Sequence, residues 1–390
     1  MSSGLRNQVL LNHLQKIQEV IGNDTSDKSN EQESRKANLT NTLHSDKTEA
    51  ELFTIPKQSM FTHTHSEFCI KWDQFFTEKR FVQLPQRNHN FNYYYSLPDN
   101  CQNEKAIPIF VFHHGAGSSG LTFASLCKEL YERLDSKCGC FTFDARGHGE
   151  TVLCDISNSI NNSYYRNAFV DDFVAFINYI FDNYLVHLPL EKVSIILVGH
   201  SLGGSICTFA LDKLRYDVTR HILGIAMFDI VEEAAIQALQ RVQSFLFSTP
   251  NTFGSYQEAI NWHVNNGLSR LRSSAEISIP ALFKKLEDGS VVRKTDLRMF
   301  SRYWDTWFIG LSHQFVTAPK CKLLILAGND NLDKELIIGQ MQGKYQLVVF
   351  QDSGHFIQED CPMKCALTLI DFWKRNDNKN VVIKTNWGKN

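Results

Sequence analysis

The chain has 390 residues, 43% of them hydrophobic, with 40 basic against 42 acidic side chains and a formal net charge of −2. That length suffices for one large α/β domain with extensions, or for two ordinary domains. The charge balance gives no electrostatic basis for nucleic-acid or acidic-membrane partners, and no apolar run reaches the roughly 18–20 residues of a transmembrane helix.

The N-terminus, MSSGLRNQVLLNHLQ, lacks a continuous apolar stretch and a small-residue cleavage site. No secretory signal is therefore expected, and the cytoplasm or nucleus is the expected compartment. The ten cysteines are accordingly expected as reduced thiols. Cys138 with Cys140, and Cys361 with Cys365, have the spacing of metal ligands, but no histidine cluster completes either pair. No metal is expected.

Leu10, Leu14, Ile17 and Ile21 fall at helical spacing, which predicts a short helix within 5–21; a frayed arm fits the same residues. Residues 22–50 are rich in Asn, Ser, Asp, Lys and Glu and read as a disordered linker. The expected division is an arm over 1–50 and one folded domain over 51–390, with its ordered part starting near Phe68.

Two early strands are predicted at 81–84 and 91–95. Six short apolar runs follow, at 107–112, 140–143, 193–198, 222–228, 323–327 and 347–350, each ending in a Gly- or Asp-containing turn. Helical patterns lie between them, such as the stripe Phe169, Phe173, Phe176, Ile177 and Ile180. Strands alternating with helices predict βαβ units and a mostly parallel sheet, with chemistry at the carboxyl ends of the strands. The stretch over about 232–318 is too long for one crossover, and its helical patterns predict a helical cap inserted over the sheet. No internal repeat is evident.

The chemistry gathers at these strand ends. Gly199-His200-Ser201-Leu202-Gly203 has the form G-x-S-x-G, preceded by the apolar VSIILV and followed by a helical pattern. A strained strand-to-helix turn would expose the Ser201 hydroxyl at a helix N-terminus, whose dipole favours developing negative charge. These features predict a serine hydrolase of the α/β-hydrolase fold with Ser201 as nucleophile. A serine hydroxyl needs a base, and His355 follows the last strand run in DSGHF. The base needs a carboxylate, and Ser…Asp…His is the order for this fold. Asp229 and Asp330 both satisfy it, with Asp333 a third choice. His113-His114-Gly115-Ala116-Gly117 follows a strand and resembles an oxyanion segment, which predicts the N–H groups of Ala116 and Leu202 as donors. Adjacent histidines on a strand point to opposite faces, so they make poor co-ligands for a metal. Asp144-Ala145-Arg146-Gly147-His148-Gly149 reads as a structural turn near the site.

With these residues in view, the chain resembles the protein phosphatase methylesterase family. The resemblance runs from about Phe68 to the C-terminal helix, through HHGAGSSG, FDARGHGET, GHSLGGSI, ILGIAMFDIVEEAA, RYWDTWFIGLSHQF, KLLILAGNDNLDKELIIGQMQGKYQL and DSGHFIQED. The Asn-, Ser- and Asp-rich composition points to a fungal member. The resemblance implies demethylation of the C-terminal leucine methyl ester of the protein phosphatase 2A catalytic subunit, with no cofactor. It implies that the acid is Asp229 and not Asp330. Ala116 stands where the family often has glycine, which a main-chain donor tolerates. Selectivity for one protein implies docking contacts from the cap, for which Trp304, Trp307 and Phe308 are candidates as leucine pocket or groove; packing of the cap core is their other use. The rival functions are another esterase or lipase of this fold, or a phosphatase-binding module acting partly without catalysis.

Overall fold

The computed structural model describes residues 70–84, 86–155, 163–240, 249–328 and 332–380. The predicted arm over 1–50 and the candidate acid Asp330 lie outside the described residues.

In chain order the main elements are β1 (Glu78–Gln83), β2 (His89–Ser96), β3 (Ile107–His113), α1 (Ala124–Arg133), β4 (Gly139–Phe143), β5 (Val152–Leu153), α2 (Arg166–Asn183), β6 (Val193–His200), α3 (Leu202–Ala210), β7 (Ile222–Phe228) and α4 (Glu232–Leu239). They continue with β8 (Thr252–Phe253), α5 (Tyr256–Asn265), α6 (Arg272–Ala281), β9 (Phe283–Lys285), β10 (Val291–Arg293), α7 (Leu311–Thr317), β11 (Cys321–Ala327), α8 (Lys334–Met341), β12 (Gln346–Phe350) and α9 (Pro362–Asn376). A strand lies at each predicted run.

The central sheet runs β1-β2-β4-β3-β6-β7-β11-β12. β2 is antiparallel to both β1 and β4, and every later pairing is parallel. The central strands read as unbroken apolar runs because helices cover both faces: all of β3 and all of β6 are buried. The period of two divides each strand between two cores. Val111, Leu197, Met227 and Leu326 face one core, with α2 and α3. Phe112, Val198, Phe228 and Ile325 face the other, with α1 and α9.

The insertion between β7 and β11 differs from the helical cap expected. Beside its helices it holds a three-stranded antiparallel sheet, β8-β10-β9, over a small core of its own that includes Ile260, Ile279, Phe283 and Val291. Those strands span two or three residues each, too short to leave a period-two pattern in the sequence. The later part of the insertion joins the main core through Phe300, Trp304, Trp307 and Phe308.

Candidate active site

The end of β6 carries the sharpest turn in the site. Ser201 has φ +53° and ψ −119°, a conformation that costs about 1–3 kcal/mol for a residue with a side chain. The surroundings hold it there. Its N–H donates to Phe228 O at 2.9 Å, and its carbonyl accepts Gly204 N–H at 2.9 Å. The flanking glycines answer close approach of main chain. A Cβ on Gly199 would lie 2.2 Å from Gly203 O, and one on Gly203 would lie 2.0 Å from His113 O. Hence the G-x-S-x-G spacing: the end of β6, the start of α3 and the end of β3 meet with no room for methyl groups.

Asp229 follows β7 directly, also at positive φ (+52°). Its N–H donates to Ile325 O at 2.8 Å, its Oδ1 accepts Ala327 N–H at 2.8 Å, and its Oδ2 accepts from His355 Nδ1 at 2.7 Å. The carboxylate is thus fixed from the neighbouring strand β11 before it meets the imidazole. The Asp229 side chain is 9% exposed and that of His355 49%, so the pair joins a sheltered acid to a reachable base. The third candidate, Asp333, is a helix cap. Its Oδ1 accepts Leu336 N–H at the start of α8, and Ser312 Oγ donates to its Oδ2.

Main-chain contacts hold His355 from both sides. Gly354 N–H donates to Asp360 Oδ2 at 2.7 Å, and His200 donates from Nε2 to His355 O at 2.8 Å. Burial first, then the nearby His355, hold the His200 pKa well below its ordinary value, so its ring is neutral. These holding roles of His200 and Asp360 were missed in the sequence. The only signal was their place inside motifs, GHSLG and GHFIQED.

The 113–120 segment passes directly over the nucleophile: a Cβ on Gly115 would lie 3.1 Å from Ser201 Cβ. Ala116 N–H has no acceptor among the described residues, and Leu202 N–H is a first-turn helix donor with no intrahelical acceptor. His113 and His114 are buried and donate from Nδ1 to His114 O and Gly115 O. Burial lowers both pKa values to about 3. The D-x-R-G-H-G turn is a scaffold. Arg146, buried, forks onto Asp172 of α2 at 2.5 and 2.7 Å, and Asp144 accepts Gly120 N–H at 2.7 Å and Glu150 N–H at 2.8 Å.

The structure packs the aromatic candidates for a substrate groove into the core, the other use the sequence left open for them. Trp304, Trp307 and Phe308 are all buried in the main core. Trp307 donates its indole N–H to Tyr164 O at 2.8 Å and stands edge-on to Phe169 of α2. Seating the insertion covers the apolar faces of α2 and α3, and these rings do the covering. An apolar side chain that reaches the oxyanion segment is Leu297, half-buried, whose Cδ1 would lie 2.8 Å from a Cβ on Gly117. It carried no motif by which to find it.

The nine cysteines among the described residues are free, and Cys138, Cys140 and Cys365 are buried thiols whose pKa values are pushed up. No helix among the described residues is long and apolar enough to cross a membrane.

The family of the alpha/beta hydrolase fold matches residues 108–362. Among solved structures, the chain is similar to E-2-(acetamidomethylene)succinate hydrolase, with a TM-score of 0.56 at 18% identity over 76% of this chain and 98% of that one. It is also similar to the thioesterase domain from the curacin biosynthetic pathway, with a TM-score of 0.53 at 16% identity over 75% and 99%. These likenesses concern the fold. Closer in sequence are fungal proteins named protein phosphatase methylesterase 1. That of Saccharomyces cerevisiae is 62% identical over 319 residues, covering 82% of this chain and 79% of the relative. Those of Yarrowia lipolytica (40% identity, 80% and 74%) and Schizosaccharomyces pombe (38% identity, 88% and 94%) extend the similarity. The chain therefore belongs to the protein phosphatase methylesterase family of α/β hydrolases, and it is a carboxylic ester hydrolase.

Proposed function

We propose that Ser201, His355 and Asp229 are nucleophile, base and orienting carboxylate in the demethylation of the C-terminal leucine methyl ester of the protein phosphatase 2A catalytic subunit. The observation that carries this reading is the 2.7 Å contact from His355 Nδ1 to Asp229 Oδ2, beside the strained turn at Ser201. Donation from Nδ1 leaves the lone pair of a neutral imidazole on Nε2, where a base must carry it.

Ser201 Oγ attacks the ester carbonyl carbon while its proton passes to His355 Nε2. The carbonyl oxygen becomes an oxyanion that accepts from the N–H groups of Ala116 and Leu202, each donor contributing about 3 kcal/mol to the transition state. The tetrahedral intermediate expels the methoxy group, which takes the His355 proton and leaves as methanol. A leucyl ester of Ser201 remains. Water gives a proton to His355 and adds to that ester, and collapse returns the proton to Ser201 and frees the carboxylate. The route uses no cofactor. The folded domain is proposed to span 51–390, with the arm at 1–50, and to act in the cytoplasm or nucleus.

The test is hydrolysis of the methylated phosphatase by wild type and Ser201→Ala. Demethylation by wild type alone supports the reading. Inert wild type that hydrolyses lipid esters overturns the substrate, and activity retained in Ser201→Ala overturns the nucleophile.

A further inference from the structure

The oxyanion segment and the D-x-R-G-H-G turn hold each other through an exchange of imidazoles. His114, on the first, donates Nδ1–H to Gly115 O at 2.7 Å, and its Nε2 accepts the N–H of Ala145 on the second at 2.9 Å. His148, on the second, donates Nδ1–H to Arg146 O at 2.8 Å, and its Nε2 accepts the N–H of Gly117 on the first at 2.9 Å. The rings meet edge to face, 5.0 Å apart. Both need the same neutral tautomer, and burial favours it by lowering each pKa to about 3.

The consequence for Ala116 follows from peptide planarity. The carbonyl of Gly115 and the N–H of Ala116 belong to one trans unit and point in opposite directions. His114 Nδ1 and Ser118 N–H (3.2 Å) hold that carbonyl, so they aim the Ala116 N–H away from themselves. His148 holds the N–H of the next unit, at Gly117. Both peptide planes flanking Ala116 are therefore fixed by histidines that lie outside the triad. The insertion leans on the same joint. Phe300 stacks on the His148 ring at 5.3 Å, Leu297 covers Gly117, and Thr295 Oγ1 donates to Gly147 O at 2.9 Å.

We infer that His148, in reciprocal exchange with His114, is a positioning residue for ester hydrolysis, holding the Gly117 N–H so that Ala116 presents its own to the oxyanion. The inference rests on the role proposed above for Ala116. It is tested in the full chain with His148→Asn, which keeps a donor near Arg146 O and lacks an acceptor at the Nε2 position, and His148→Gln, which restores one. Misplacing one donor should lower kcat about tenfold to a hundredfold in His148→Asn, with KM within about threefold. His148→Gln should recover to within about fivefold. A peptidyl boronate, which forms a tetrahedral adduct on Ser201, should lose affinity in step with kcat/KM, while the free leucine carboxylate product should not. Wild-type kcat in His148→Asn, or equal losses for boronate and product, would overturn the inference. Should His148→Asn fail to fold, the wild-type protein decides: a scalar coupling across the Gly117 N–H···Nε2 hydrogen bond in 15N NMR supports the contact, and its absence overturns it. Ser201→Ala on the same ester keeps the two readings apart, since activity there defeats the proposed nucleophile and leaves the NMR result standing.

Discussion

His200 Nε2 lies 2.8 Å from the carbonyl oxygen of His355, so the residue before the nucleophile holds the main chain of the base. The rings are 4.7 Å apart, and His200 also touches Phe356 at 5.1 Å. Nucleophile and base are thus tied together by main-chain contacts as well as by chemistry.

His200→Ala should therefore free the His355 segment while leaving the 2.7 Å Asp229 contact available. Loss of about 1 Å of precision in a base lowers rate on the order of a hundredfold. Steady-state kinetics should show kcat falling about tenfold to a hundredfold with little change in KM. An unchanged kcat would show that Asp360 alone suffices to hold the segment.

The acid is tested by three asparagines. Asp229→Asn should lower kcat by about 10³–10⁴-fold, because the amide no longer favours the Nδ1–H tautomer. Asp330→Asn should keep its activity. Asp333→Asn should also keep it, and lose about 1 kcal/mol or less of stability, since an asparagine caps a helix about as well as an aspartate. Inactivity confined to Asp330→Asn would reverse the assignment.

The aromatic residues and Leu297 should separate in their effects. Trp307→Ala removes a ring that is 1% exposed and should cost about 3–5 kcal/mol in urea unfolding, with KM of the folded enzyme unaltered. Leu297→Ala should leave stability nearly intact. It should relax the preference among ester substrates with different acyl side chains by about tenfold, read as the ratio of kcat/KM values.

Stability should rise from pH 3 to pH 6.5. Burial holds His113, His114 and His148 at about 3, and His89 and His263 at about 4, each below the ordinary 6.5. In that window the unfolded chain binds more protons, so acid favours unfolding. Glu359 works the other way. Burial raises its carboxyl to about 7 from 4.5, against the Thr122, Ser278 and Ser269 hydroxyls that donate to it, so its stabilising protonated form is lost as pH rises through 7. At about 1.4 kcal/mol per pKa unit, five histidines outweigh one glutamate. Urea titrations should show the net rise, and Glu359→Gln should gain on wild type between pH 4.5 and pH 7, then stay level.

Much of this was legible in the sequence for a physical reason. The parallel strands are apolar on both faces, so β3, β6 and β7 stand out as short continuous runs, and the reactive residues sit where those runs stop. Ser201 and His355 could be named from that alone. Asp229 could not be separated from Asp330 by spacing, because both follow strands; the family resemblance indicated which, and the contact from Ala327 N–H to Asp229 Oδ1 is a tertiary fact. The short strands of the insertion and the position of Leu297 were illegible because neither repeats with any period. The aromatic residues of RYWDTWFIG were conspicuous, yet burial in a core demands the same residue types as a ligand groove.

Among the described residues, β12 is hydrogen-bonded to one neighbour, β11, and the base lies in the turn beyond its end. Elements with few buried contacts open locally at free energies below that of global unfolding, and of β12 only Phe350 is buried. Heat or mild denaturant should therefore silence the enzyme while most of its tertiary structure persists, and cooling should restore it without a refolding lag.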